Sequence, residues 1–132
     1  MKMLLMLLTF GLPLFAQAEN IQIQLKPETE LAQPVEDTFL SYDFGAVWVN
    51  TPRSIVYSIT AGDTESRFRE ILYSGAAYRV VTNCPVILPP KQVCDVRITF
   101  APMFPGLHTG RVVMDLYTQR FIVDLWGQGI SR

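Results

Sequence analysis

Residues 84–110 read CPVILPPKQVCDVRITFAPMFPGLHTG and constrain this chain more than any other segment. Two cysteines bracket a proline-rich loop. An alternating stretch follows, and then a run of Pro and Gly. Cys94, Val96, Ile98 and Phe100 share one face, with Asp95, Arg97 and Thr99 on the other. That period of two belongs to a half-buried β-strand. Pro102 and Pro105 stop the strand, because neither can donate to a ladder.

The N-terminus is a processing segment rather than part of the fold. Lys2 gives a short positive region, residues 3–15 are almost wholly apolar, and Ala16-Gln17-Ala18 fits a small-x-small cleavage site. Residues 1–18 therefore read as a signal peptide. The apolar run is short for a bilayer span and carries Pro13, and no later segment suits one. No cysteine stands at the cleavage point for a lipid anchor. A chain starting at Glu19 has about 114 residues, enough for one domain with a thin core. The formal net charge is -1, with no basic stripe or lysine-rich face, so nucleic acid and anionic lipid are not expected partners.

Two cysteines in an exported chain pair. A Cys84–Cys94 bridge closes a loop of about eleven residues and contributes roughly 2.5–3 kcal/mol in the chain-entropy model. Pro85, Pro89 and Pro90 stiffen that loop beforehand, which reduces the gain. No C-x-x-C motif or helix start activates a thiolate, so the bridge is read as structural.

From residue 19 onward the pattern is strands and turns. Residues 20–25 alternate Ile21, Ile23 and Leu25 with Gln22 and Gln24. Residues 26–37 read as a linker, with Pro27 and Pro34. Residues 39–49 form a bent strand or strand pair, broken at Gly45. Asn50-Thr51-Pro52 is a turn. Residues 53–60, 68–73, 78–82 and 94–100 are further strands, and residues 111–117 and 120–126 form a hairpin around Thr118-Gln119. Gly106 and Gly110 supply the positive φ of a tight turn, and Gly127 and Gly129 end the last strand. No stretch beyond residue 18 has sustained helical periodicity. Seven to eight short strands predict an all-β, immunoglobulin-like sandwich over residues 39–132, with residues 19–38 as an N-terminal strand and linker.

The order of motifs resembles the ASH family. Asp43-Phe44-Gly45-Ala46-Val47 is followed by Ser74-Gly75 and a strand reaching Cys84. Leu88-Pro89-Pro90 and Cys94-x-Val96-x-Ile98-x-Phe100-x-Pro102 come next, then Gly106 and Gly110, and finally Val123-x-Leu125-x-Gly127-x-Gly129. These are immunoglobulin-like domains related to major sperm protein, and similar ones occur in bacterial exported proteins, often with the same cysteine pair. The resemblance spans about residues 39–130. It departs at Thr60-Ala61-Gly62, where the family has Asn-x-Gly. It implies a protein-binding or scaffolding module, and it offers no catalytic residues to carry over.

Catalytic chemistry finds little support. His108, the single histidine, sits in the Pro/Gly run as a turn residue. No residues have metal-ligand spacing, no phosphate loop precedes a helix, and Ser54, Ser58 and Ser74 lack the nucleophile-elbow pattern. No catalytic residue, metal or cofactor is therefore expected, nor a small-molecule substrate. The best enzyme candidate is a hydrolase pair, Asp115 and Asp124. A turn at Thr118-Gln119 sets Asp115 opposite Ile122 and Asp124 opposite Val113, which makes the two carboxylates diagonal neighbours within a range some glycosidases use. The same register sets Arg120 diagonal to Asp115 and Arg111 diagonal to Asp124. A balanced charge lattice on an open sheet face is the preferred reading.

The hairpin alternates cleanly. Val112, Met114, Leu116, Phe121, Val123 and Leu125 take the core side. Arg111, Val113, Tyr117, Ile122 and Trp126 face out, with Trp126 opposite Arg111 for a cation–π pair, and Trp48 is a second outward aromatic. Aromatic and Arg residues together mark binding hot spots, so these six are the candidate interface. The plainer alternative is that they only cover their neighbours. Ile21, Ile23 and Leu25 need an apolar groove. Docking on the chain's own sandwich is the simpler option, and strand donation to a partner is the sharper one. The sequence thus predicts an exported, non-catalytic protein-interaction module, periplasmic or at the cell surface. A fibre subunit or chaperone-like factor working by strand exchange is the alternative.

Overall fold

A computed structural model describes residues 19–27 and 35–131. The expected signal peptide and most of the linker lie outside the described residues. The strands are β1 (Glu19–Gln24), β2 (Glu36–Trp48), β3 (Arg53–Thr60), β4 (Ser66–Ser74), β5 (Tyr78–Thr82), β6 (Ile87–Leu88), β7 (Val93–Phe100), β8 (Gly106–Leu116) and β9 (Gln119–Ile130). They form two sheets. One has the order β1-β3-β7-β5, the other β2-β9-β8-β4-β6. The all-β sandwich is as the alternation predicts, with nine strands among the described residues. The additional one is β6, whose two residues are too few to show a period.

The core lies where the inward rows meet. Ile55, Tyr57 and Ile59 of β3 and Val96, Ile98 and Phe100 of β7 face Val112, Met114 and Leu116 of β8 and Val123 and Leu125 of β9, all at most 2% exposed. Burial holds the Tyr57 and Tyr78 hydroxyls protonated, pushing each pKa up to about 12.

β1 and β2 enter as parallel edge strands, β1 on β3 and β2 on β9. The chain crosses between sheets at Lys26. There the Gln119 amide accepts from the Lys26 backbone N–H at 3.2 Å and donates to its carbonyl at 2.9 Å. The Tyr42 hydroxyl also donates to Glu19 at 2.6 Å, tying the two edges together. Ile23 and Leu25 are buried in the shared core. The division at residue 38 therefore falls inside β2, and residues 19–25 belong to the sandwich.

Cys84 and Cys94 form the expected disulfide. The loop they close leaves β5 in one sheet, pairs β6 with β4 of the other, and returns to β7. The bridge thus straps the two sheets together along one side.

Several glycines act otherwise than their sequence context implies. Gly106 does have positive φ. Gly110 and Gly127 lie inside β8 and β9 and face inward, where they are floors for rings. A Cβ on Gly127 would stand 2.4 Å from Cε2 of Phe100, and one on Gly110 would stand 2.6 Å from Cδ2 of Tyr78. The two rings stack at 5.0 Å, and Phe44 packs 5.5 Å from Phe100. β9 runs past Gly129 to Ile130. His108 is likewise on β8, not in a turn. Its Nε2 bonds the Phe104 carbonyl at 2.9 Å, and its ring lies 4.9 Å from that of Phe104.

Replacing Gly127 by Ala forces a methyl group into Phe100, a large aromatic of the core. The expected cost is about 1–3 kcal/mol, read as a lower denaturant midpoint with an unchanged m-value. Wild-type stability in that variant would mean the ring does not sit on this glycine.

Candidate functional surface

The outward side of the larger sheet is set by two bulges. In β2 the pairing with β9 shifts between Asp43 and Ala46, and Gly45 takes φ 73° there. The Asp43 carboxylate accepts the Gly45 N–H at 2.8 Å, and Arg53 Nη1 donates to the Phe44 carbonyl at 2.9 Å, so the backbone groups freed by the bulge stay satisfied. Beyond it Val47 faces in. Before it Leu40, Tyr42 and Phe44 face in, and Phe39 faces out. In β4 a second shift lies between Phe68 and Glu70. It turns Ile71 inward and Leu72 outward, although Phe68 is buried.

Cross-strand pairing then arranges the outward side chains in rows. Phe39 pairs with Ile122, Ile122 with Val113 and Val113 with Leu72, an apolar row across four strands. Its two ends are open, Phe39 at 68% exposed and Leu72 at 52%. A charged row flanks it on each side. On one side Asp124 pairs with Arg111, whose Nε lies 2.7 Å from the carboxylate. On the other, Arg120 lies between Asp37 and Asp115 and takes Asp37, with bonds of 2.9 and 3.0 Å. Asp115 itself has no ion pair within 4.0 Å among the described residues. It also stands opposite Glu70, a like charge.

The expected residues fall on this face, with corrections of register. The hairpin turn is Tyr117-Thr118, two residues earlier in pairing sum than a turn at Thr118-Gln119 gives, because Gln119 is drawn inward to hold Lys26. A shift of two preserves the faces and changes every partner. Asp115 pairs with Arg120 and Asp124 with Arg111, so the two aspartates stand four residues apart along the ladder, on the order of 14 Å between backbones. That exceeds the spacing of a paired-acid site, and the hydrolase reading on Asp115 and Asp124 fails on geometry. Trp126 pairs with Thr109, not Arg111. Among the described residues, the cations near an aromatic ring are Arg67 and Arg69, at 5.2 and 5.7 Å from the Tyr117 centroid. Ile122 is on the outer face but only 8% exposed, covered within its row. Trp48 pairs with Ile130 at the far end of the same face, beside a shallow concavity lined by Val49, Asn50 and Thr51. Among the described residues no group of three His, Cys, Asp or Glu has metal-site geometry, and no helix is long and apolar enough to cross a membrane.

No family model matches the chain, and no curated protein matches it in sequence. Solved structures do. The PapD-like domain 7 of human CEP192, an ASH domain, matches over 82% of this chain and 99% of its own length at 15% identity, with a TM-score of 0.50. The fold is that of an ASH/PapD-like immunoglobulin domain. Two Vibrio cholerae proteases carry similar domains: VesB at 11% identity and TM-score 0.54, and the secreted serine protease VesC at 14% and 0.52. They match 67% and 66% of this chain, which spans 30% and 21% of their lengths, so the likeness concerns one domain of each.

Within this ASH-like sandwich, Phe39 and Leu72 are the surface residues that sequence alternation missed. Gly45 signals the first bulge, but extending the parity of Val47 backwards would put Phe39 inside. Nothing in residues 66–74 signals the second. The exposed ends of the row differ in energetic role from its middle. Phe39→Ser and Leu72→Ser are each expected to change stability by no more than about 0.5 kcal/mol, Ile122→Ser to cost about 1–3 and core Ile98→Ala about 2–5. Chemical denaturation checks the ranking. Equal losses at Phe39 and Ile98 would place Phe39 in the core.

Proposed function

We propose that this chain is an exported, non-catalytic interaction module whose recognition surface is the outward face of the β2-β9-β8-β4 sheet. The observation that carries the reading is the apolar row with open ends at Phe39 and Leu72. Tyr117, at 49% exposed, and Trp126, at 40%, lie one row further out at either end of the face. Rows of alternating charge frame the apolar row on both sides. An apolar centre with aromatic and Arg neighbours and a polar rim is the anatomy of a protein contact. The concavities at the ends of the sandwich are shallow and open, a poor setting for excluding water from a reaction.

The signal-like residues 1–18, the disulfide and the occurrence of similar domains in a secreted protease favour export to a periplasmic or extracellular compartment. Docking of β1 on β3, with Ile23 and Leu25 buried, favours a self-complete sandwich over strand exchange.

Site-specific photo-crosslinking in the cells that make the protein tests this. A crosslinker replacing Phe39 or Leu72 is expected to give discrete protein adducts, and one replacing Val81, exposed on the opposite sheet, is not. Adducts at Val81 alone would move the recognition surface to the other side.

A further inference from the structure

The charges that frame the apolar row form a two-by-two checkerboard. On β9, Asp124 and Arg120 lie on either side of Ile122, and on β8, Arg111 and Asp115 lie on either side of Val113. Each sign is diagonal to its like. A sheet face with this pattern is complementary to itself.

Two rotations can bring two copies face to face with their strands aligned, as in sheet-on-sheet packing. The first has its two-fold axis along the apolar row. Each strand then meets the same strand of the other copy, with the two charged rows exchanged. Asp124 meets Arg120, Arg111 meets Asp115, and the apolar row lies on its own copy from Phe39 to Leu72. At the margins, Asp37 meets Ser41 and Glu70 meets Ser74, so no like charges touch. The second axis runs along the strands, between β8 and β9. It also satisfies the central charges, but it sets Asp37 against Glu70, two carboxylates in a desolvating contact. The first arrangement is therefore favoured.

It also gives a partner to Asp115, whose cross-strand neighbour Arg120 bonds Asp37 instead. Asp115 has no ion pair within 4.0 Å among the described residues and faces Glu70. In the first arrangement it gains Arg111 of the other copy. The next rows out bring Trp126 and Thr109 over the region of Tyr117. The overlap spans about five rows of four strands, on the order of 650 Å² per copy from strand spacing and rise, at the lower end of specific interfaces.

On the reading that this face is a recognition surface, we infer that its occupant is a second copy of the chain, seated face to face about a two-fold axis along the Phe39–Leu72 row. The self-association is weak, with a dissociation constant of micromolar order, since within each monomer Ile122 is already buried and Val113 half-buried.

Sedimentation velocity on the chain from Glu19 onward, over a concentration series, tests the inference. The row inversion Arg111→Asp with Asp124→Arg keeps the ion pair within each monomer but turns both contacts to the other copy repulsive. It is expected to weaken the dimer at least about tenfold, with the dilute monomer melting as wild type does. Adding the inverted second row (Asp37→Arg, Asp115→Arg and Arg120→Asp) restores complementarity and is expected to recover the wild-type constant to within about threefold. Phe39→Glu, at an exposed position, weakens the dimer by a similar factor and serves if the inversion fails to fold. A wild-type chain monomeric throughout the series overturns the inference, as does an inverted row that dimerises normally. If the chain is monomeric yet Phe39 still crosslinks to another protein, the second copy is excluded and the recognition surface stands. If Phe39 also gives no adducts, both readings fall.

Discussion

Phe100 seated on the bare backbone of Gly127 is the contact on which this sandwich depends. It joins β7 of one sheet to β9 of the other, and Tyr78 on Gly110 repeats the arrangement one strand away in each sheet. Large rings bury much apolar area, but only if the opposing strand yields the space of a side chain. The two glycines yield it without interrupting the ladder. With Phe44 packed on the same cluster and Tyr78 donating to the His108 carbonyl at 2.9 Å, this end of the molecule is set by rings meeting backbone. The opposite flank is held covalently, by the loop between Cys84 and Cys94 and its contact with β4.

Because the inner faces hold the fold, the outer face can carry a pattern of its own. Two irregularities write it. The bulge at Gly45 inverts the parity of β2 upstream, and the shift near Arg69 does the same in β4. Without them the row would end at Ile122, which is buried, and Val113, which is half-buried. With them it reaches Phe39 on one side and Leu72 on the other. Bulges are a means of re-aiming side chains, and here they extend a two-residue apolar pair to both flanks of the sheet.

Much of the fold is legible in the amino-acid sequence because alternation is a strong signal where one face is buried. The limits of β3 and β5 follow from it, as do the inward and outward sides of β8 and β9. Partners across the hairpin do not follow. Tyr117-Thr118 lacks the Gly or Asn that marks a two-residue turn, and polar Gln119 looks like a turn residue until its amide is seen bridging the Lys26 backbone. That one misplacement brings Asp115 and Asp124 together on paper when the ladder holds them apart. Likewise Gly110 and Gly127 read as turn and strand-end signals, since the rings that need them come from distant parts of the chain. The candidate surface was thus visible as a face, in Arg111, Val113, Tyr117, Ile122 and Trp126. Its open ends depend on long-range register and were not.

The central proposal is that the outward face of the larger sheet binds a second copy of the chain, with the inner faces given over to the fold. Amide chemical shifts recorded by NMR over a concentration series test it most directly. The account predicts progressive changes at Phe39, Leu72, Arg111, Val113 and Asp115, with the outward residues of β3 and β5, such as Val56 and Val81, unmoved. Changes centred on Val56 and Val81, or none at any concentration, would contradict it.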